Sequence, residues 1–143
     1  MAKIVTAFGT PHTPFLPEQV SNAPGQLKPE AMMNEVREHL EKAKPDVIIV
    51  FTSDHFVNFF YNHFPAFCVG VIDEAETTPE TGCNMPHYSL QGHKKMAAAL
   101  HRAALKSNFD LATAQEVKLE HTIMVPLHFI TPDMNIPIIP IYN

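Results

Sequence analysis

The chain has 143 residues, 45% of them hydrophobic and 17% charged, which suits a domain with a hydrophobic core and excludes a disordered chain. The formal net charge is −5 with the histidines neutral. Because the sequence has no cluster of Lys and Arg, we expect neither nucleic acid nor an anionic membrane surface as a partner. The apolar runs are strand-sized and too short to span a bilayer.

The N-terminal residues read directly into an apolar segment and lack the pattern of a secretory signal peptide. The two cysteines, Cys68 and Cys83, could pair, but in a chain without a leader we expect reduced thiols. We therefore predict a cytoplasmic protein.

The first predicted elements are a strand over residues 3–8 and a proline-rich loop over residues 9–25. An amphipathic helix should follow, with Pro29 in its first turn and its end before Pro45. Its apolar face repeats every four residues, at Met32, Val36 and Leu40.

The middle of the chain is predicted to contain two strands and a second helix. Residues 46–51 are rich in Val and Ile, which is typical of a strand buried on both faces. Residues 65–72 form another apolar stretch of strand length, residues 73–87 a loop with two prolines and a glycine, and residues 89–106 a helix.

A short strand over residues 110–114, a short helix over residues 122–130 and a strand over residues 136–142 complete the prediction. Alternating strands and helices indicate an α/β fold, with a mostly parallel or mixed central sheet flanked by helices. The sequence has no internal repeat or linker, so residues 1–143 are treated as one unit. Because an apolar strand ends the chain, we expect another chain or a longer domain to cover it.

Two histidines follow predicted strands. His12 lies between Pro11 and Pro14, and His55 follows the buried strand 46–51. In open α/β folds ligands bind at the carboxyl ends of strands, and neutral imidazole is the commonest protein ligand for transition metals. The pair therefore predicts the beginning of a mononuclear metal site. The alternative is that both histidines are ordinary turn residues.

Other side chains near these histidines have two interpretations each. Asp54 should point away from its neighbour His55, so it either supports another ligand through a hydrogen bond or caps the next segment. At a helix N-terminus, His121 would stay neutral and accept a proton; otherwise it is a capping or loop residue. The aromatic residues 56–67 are core packing, or a wall for a flat aromatic substrate.

Taken together, these segments resemble the class III extradiol ring-cleaving dioxygenases, the LigB superfamily, and most closely its branch that opens 2,3-dihydroxyphenylpropionate-type catechols. The resemblance runs along the whole chain. It is carried by Pro11-His12-Thr13-Pro14, Ser53-Asp54-His55, Asn58-Phe59-Phe60-Tyr61, Pro65-Ala66-Phe67-Cys68-Val69-Gly70-Val71, Glu120-His121 and Val125-Pro126-Leu127.

The resemblance implies a non-haem Fe(II) site of two histidines and one glutamate that cleaves the ring of a catechol with O₂. His12 and His55 match the two histidine ligands of the family. His121 matches a histidine used in acid–base chemistry and substrate contact, and Asp54 is assigned to the second shell of the metal. The expected substrate contacts are Thr13, Phe59 and Tyr61.

One part of the family's site is missing. Its glutamate ligand and a second histidine lie in a C-terminal portion, whereas the resemblance covers roughly the first half of a family member. We therefore expect a homo-oligomer, a second chain or a longer domain to complete the site. Nothing in the spacing selects a substitute among Glu74, Glu76, Glu80, Glu116 and Glu120.

Two other functions fit the same residues. A binding or interaction module, or an inactive truncated fragment, would keep the fold without the chemistry, and the missing glutamate favours this alternative. A zinc hydrolase would use the same imidazoles, since they also suit Zn²⁺.

Overall fold

A computed structural model describes residues 2–143 of the chain. Over these residues, none of the helices combines the length and the apolar character that crossing a membrane would need. The helices and strands, in chain order, are α1 (Leu16–Asn22), α2 (Lys28–Ala43), β1 (Ile48–Thr52), β2 (Cys68–Gly70), β3 (Glu74–Glu76), β4 (Ser89–Gln91), α3 (Lys94–Lys106), β5 (Ala112–Ala114), α4 (His121–Ile130) and β6 (Ile138–Tyr142).

The main sheet has four strands in the order β1-β6-β2-β5. β1 runs parallel to β6 and β2 runs parallel to β5, whereas β2 and β6 are antiparallel. Helices α2 and α4 pack against each other and cover one face, and α3 packs on the other face at β2. The prediction of an α/β fold with a mixed sheet between helices is therefore confirmed.

The last strand of the chain lies inside the sheet. β6 pairs with β1 on one edge and with β2 on the other, and all five of its residues are buried. Helices and strands of this chain already bury it, so the expectation that another chain must cover the strand is wrong. Local sequence shows an apolar strand, but not its position among the other strands.

One face of β1 is exposed to solvent, whereas the sequence predicted burial on both faces. Its side chains alternate in exposure, and Phe51 is 71% exposed. By strand register, Ile49 and Phe51 share a face with Ile139 and Ile141 of β6. Helix α3 lies over β2 on that face, which leaves the outer strand β1 uncovered there.

Helix α2 matches its prediction closely. It begins one residue before Pro29 and ends at Ala43, and the left-handed backbone of Lys44 (φ 47°) caps it. The buried apolar residues are Met33 and Leu40, while Met32 is 49% exposed. The prediction of Met32 on the apolar face is wrong because Met33 takes the first core position, whereas Val36 and Leu40 pack in the core as predicted.

The N-terminal segment differs most from its prediction. Residues 3–8 form no strand, and Ile4 is 87% exposed. A β-strand needs a backbone partner, which apolar composition alone does not provide, so this prediction is wrong. The following loop contains the short helix α1, with Pro17 in its first turn.

A second sheet replaces part of a predicted loop and part of a predicted helix. β3 and β4 pair antiparallel, with Ala75 opposite Leu90 and both side chains buried. Residues 89–92 are thus not helical, because cross-strand pairing outweighs the helical pattern. Helix α3 begins at Lys94, where the ring of His93 accepts the Met96 N–H at 3.3 Å. β5, α4 and β6 lie at the predicted places, with α4 beginning one residue earlier.

Asp54 organises the turn that follows β1. Its buried carboxylate accepts the backbone N–H groups of Val57, Asn58 and Phe59 at 3.0–3.1 Å, and the Asn58 amide at 2.8 Å. Phe56, which lies between Asp54 and Val57, adopts a left-handed backbone (φ 59°), which is unfavourable for a bulky residue. These hydrogen bonds stabilise the turn and thereby fix His55 next to it.

Replacing Gly92 by alanine should destabilise the fold. A Cβ atom there would lie 2.3 Å from the carbonyl oxygen of Ile72, and the backbone cannot yield easily. We expect Gly92→Ala to lower the free energy of unfolding by about 3 kcal/mol in urea denaturation. Gly9→Ala is the control, because nothing lies within 4 Å of its added Cβ. Equal stability of the two variants would contradict the packing described here.

Replacing Asp54 by alanine should cost about 2–4 kcal/mol of unfolding free energy, because three backbone N–H groups lose their acceptor. The exposed residue Asp133 offers a matched control, and Asp133→Ala should change stability by about 0.5 kcal/mol or less. Thermal and urea unfolding measure both. A wild-type stability for Asp54→Ala would show that the turn does not depend on this carboxylate.

Candidate metal and acid–base site

The candidate site lies at the carboxyl ends of two parallel strands and at the beginning of α4. The backbone N–H of Asn143, after β6, donates to the carbonyl of Thr52 at the end of β1 (3.0 Å). The hydroxyl of Thr122, in the first turn of α4, donates to the carbonyl of Ser53 (3.3 Å). These bonds place the segment after β1 beside the start of α4, at the sheet edge where α/β folds bind ligands.

Three histidines from distant parts of the chain meet there. The ring centres of His55 and His121 are 4.9 Å apart, with the rings nearly parallel at 14°. The ring centre of His12 lies 6.0 Å from that of His55 and 6.1 Å from that of His121. The structure thus brings His12 to the site although residues 3–8 form no strand.

The carboxylate of Glu120 holds His55 at two points. One oxygen accepts the backbone N–H of His55 at 2.7 Å, and the other lies 3.1 Å from its ring Nδ1. Glu120 is only 1% exposed, so its charge is withdrawn from water and depends on these neighbours. A carboxylate that fixes one nitrogen of an imidazole leaves the other to a metal, as is common among metal-binding histidines.

The carboxylate of Glu80 holds His121 in the same way. One oxygen accepts the backbone N–H of His121 at 2.6 Å, and the other lies 2.5 Å from its ring Nδ1. Glu120 also lies near this ring, 3.6 Å from the same nitrogen. Each of the two histidines therefore has one glutamate that contacts both its main chain and its ring.

The donor atoms fit a metal ion. His55, Glu120 and His121 each offer a ligand atom, and these atoms lie within 4.8 Å of one another. With metal–nitrogen bonds of about 2.1 Å, two imidazoles at about 90–110° have ring centres about 4.5–5.3 Å apart. The ring centres of His55 and His121 lie in this range. His12 needs to approach by about 1 Å, and its ring is exposed on a loop.

Tyr142 lies below the site with a buried hydroxyl. Within residues 2–143 this oxygen has no hydrogen-bond partner. Burial, and then the nearby carboxylates of Asp54 and Glu120, raise the pKa of Tyr142 well above its ordinary value. The phenol therefore stays neutral at physiological pH and leaves the charge of Glu120 unbalanced.

The residues predicted to contact substrate occupy different environments. Phe59 is buried, with its ring edge-on to Tyr142 at 5.4 Å. Tyr61 is 92% exposed and its ring centre lies 5.0 Å from that of Phe56. Thr13 is exposed, and its carbonyl accepts the Leu16 N–H. Substrate contact by all three stays a prediction, as does a hydrogen bond from a metal ligand to Asp54, whose observed contacts cap the turn.

Sequence reasoning missed Glu80 and the contact of Glu120. Both are among the acidic residues of the sequence, and nothing in their spacing distinguishes them from the others. Glu120 precedes His121 in the sequence, but it bonds to His55, 65 residues away, and Glu80 lies 41 residues before His121. No local spacing encodes such contacts. The only sequence signal is the acidic residue Glu120 immediately before His121.

Comparison with known proteins gives a family match over residues 6–143, described as the catalytic LigB subunit of aromatic ring-opening dioxygenase. A Pseudomonas putida protein named 2,3-dihydroxyphenylpropionate/2,3-dihydroxicinnamic acid 1,2-dioxygenase 2 is 27% identical over 92% of this chain and 41% of its own length. A protein from Paraburkholderia phymatum, named 2,3-dihydroxyphenylpropionate/2,3-dihydroxicinnamic acid 1,2-dioxygenase, is 30% identical over 79% of the chain and 35% of its own length.

The chain thus spans about two fifths or less of the length of these curated relatives. Because the family match extends over almost all of its residues, the chain belongs to the family of catalytic LigB subunits of aromatic ring-opening dioxygenases.

Proposed function

We propose that this chain supplies the histidine ligands of a non-haem Fe(II) centre in an extradiol dioxygenase that opens a catechol with O₂. The observation that carries the proposal is the meeting of His12, His55 and His121, with ring centres 4.9–6.1 Å apart. Family membership and the names of the relatives support the reaction class.

His12 and His55 would hold the metal, and Glu120 would orient the ring of His55 by its 3.1 Å contact with Nδ1. When bound, Fe(II) supplies a Lewis-acidic, redox-active centre where a catechol and O₂ can meet. The buried charge of Glu120 favours a cation at this place, since a carboxylate out of water needs positive charge nearby.

His121 would take a proton from the catechol. Its ring lies 4.9 Å from that of His55, so a diol next to the metal would come within its reach. The side chain is 13% exposed, which limits competition from water. A neutral imidazole here would accept the hydroxyl proton on a ring nitrogen and return it later to the opened product.

Exposed aromatic residues beside His55 offer a surface for a flat ring. The ring centre of Phe56 lies 5.0 Å from that of Tyr61 and 6.1 Å from that of Phe64. All three are at least 46% exposed. Such a cluster next to a metal site suits an aromatic substrate.

The proposed metal centre needs a carboxylate ligand besides its two histidines. A carboxylate ligand from a second chain, from another copy of this chain or from a longer protein would complete a facial triad.

The two cysteines are free in the structure, and burial raises the pKa of each to about 11. Protonated, unpaired thiols are in keeping with the cytoplasmic location predicted above.

Metal binding tests the ligand assignment. We expect the chain to bind about one equivalent of Fe(II) under anaerobic dialysis, and His12→Ala or His55→Ala to weaken binding by about 10-fold or more, because each removes a ligand. The control is His101→Ala on α3. If both ligand variants hold metal as tightly as the parent, the assignment is wrong.

Oxygen uptake tests the reaction. Where another copy of this chain supplies the missing carboxylate, we expect the iron-loaded assembly to consume O₂ with 2,3-dihydroxyphenylpropionate and with catechol, but not with phenol, which has a single hydroxyl. His121→Gln should slow uptake by about 10²–10⁴-fold with unchanged iron content, because it removes the proton acceptor. No uptake with any catechol at full iron loading would favour the non-catalytic module. A colourless, oxygen-insensitive metal in the protein as isolated would favour the zinc hydrolase.

A further inference from the structure

We propose that Glu80 is the positioning residue for His121: its carboxylate fixes the ring with the proton on Nδ1 and leaves Nε2 as the proton acceptor. The catalytic role of Nε2 as a proton acceptor rests on the function proposed above. The protonation state of the ring does not, and it can be measured without metal or substrate.

The two oxygens of Glu80 have different partners on His121. One accepts the backbone N–H at 2.6 Å, and the other lies 2.5 Å from Nδ1. An ionised carboxylate can only accept hydrogen bonds. Nδ1 must therefore carry a proton, and in the neutral ring Nε2 is then unprotonated.

The loop that carries Glu80 is fastened next to His121. The backbone N–H of Thr78 donates to the carbonyl of Leu119 at 2.7 Å, and that of Leu119 donates to the carbonyl of Glu76 at 3.0 Å. Within the loop, the N–H of Cys83 donates to the carbonyl of Glu80 at 3.3 Å. Glu80 is thus held from both sides, and its reach to His121 does not depend on a mobile side chain alone.

Helix α4 adds a second reason for a carboxylate at this place. His121 is its first residue, and the side chain of the preceding Glu120 makes no capping hydrogen bond. The backbone N–H of His121 is one of four at a helix start without a partner in the helix. Glu80 satisfies it and places negative charge at the positive end of the helix.

Glu80 also keeps the two site histidines separate. The Nδ1 atoms of His55 and His121 lie 3.1 Å and 3.6 Å from the same oxygen of Glu120. Because Glu80 occupies the Nδ1 of His121, Glu120 remains available to His55. Without Glu80, both rings would compete for one carboxylate oxygen, and the orientation of His55 would change with that of His121.

An amide at position 80 provides a sharp test because it has the shape of the carboxylate and different hydrogen-bond chemistry. The oxygen of Glu80→Gln must face the backbone N–H of His121, which can only donate. Its NH₂ group then faces Nδ1 and requires an unprotonated nitrogen there. The substitution should therefore move the proton of the ring from Nδ1 to Nε2.

The experiment is long-range ¹H–¹⁵N NMR of the full chain with ¹⁵N-labelled histidine, after chelator treatment, at about pH 8.5, where ordinary imidazole is neutral. We expect His121 to be protonated at Nδ1 in the wild type and at Nε2 in Glu80→Gln. Glu76→Gln is the matched control, because Glu76 is 70% exposed and contacts His87 instead. It should leave the His121 signals unchanged.

The wild-type spectrum alone can overturn the proposal, so it does not depend on the folding of a variant. A proton on Nε2 of His121 in the wild type, or on Nδ1 in a folded Glu80→Gln, would refute it. In the iron-loaded chain, Glu80→Gln should lower kcat about 10-fold or more with metal affinity changed less than twofold. If Fe(II) does not bind while the NMR result holds, the proposed function fails and the positioning role stands.

Discussion

The burial of one carboxylate constrains the whole site. Glu120 is 1% exposed, and a charge removed from water destabilises a fold unless nearby groups compensate it. Its compensation comes from the backbone and ring of His55, with His121 close by, while the buried phenol of Tyr142 gives it no hydrogen bond. His55 follows β1, and His121 begins α4. Satisfying Glu120 therefore requires that these two elements meet, and a bound cation would complete the compensation.

The sheet makes this meeting possible. Because β6 lies between β1 and β2 and runs parallel to β1, the carboxyl ends of β1 and β6 share one edge, and α4 begins there. The Asp54 turn then fixes the direction in which His55 leaves β1. Rigid strands thus supply the frame, while His12 arrives on an exposed loop that can adjust.

Much of the fold and of the site can be predicted from the local sequence. Apolar patterns located α2, α4, β5 and β6, and the position of His12 and His55 after apolar segments predicted that the two would lie together, although His12 follows no strand. Strand order was not accessible, because nothing in residues 138–142 shows that they lie between two other strands. The strand expected at residues 3–8 failed for a related reason, since pairing depends on a partner elsewhere. The glutamate contacts span 41 and 65 residues, so only the folded chain reveals them.

The function proposed for this member of the LigB family depends on one claim: the imidazoles of His12 and His55 bind one metal ion. X-ray absorption spectroscopy of the chain loaded with Co(II), as an air-stable substitute for Fe(II), tests this claim directly. We expect the outer-shell scattering that imidazole ligands produce, reduced by one ligand in His12→Ala. A metal surrounded by oxygen atoms alone, or a spectrum that neither histidine substitution changes, would contradict the account.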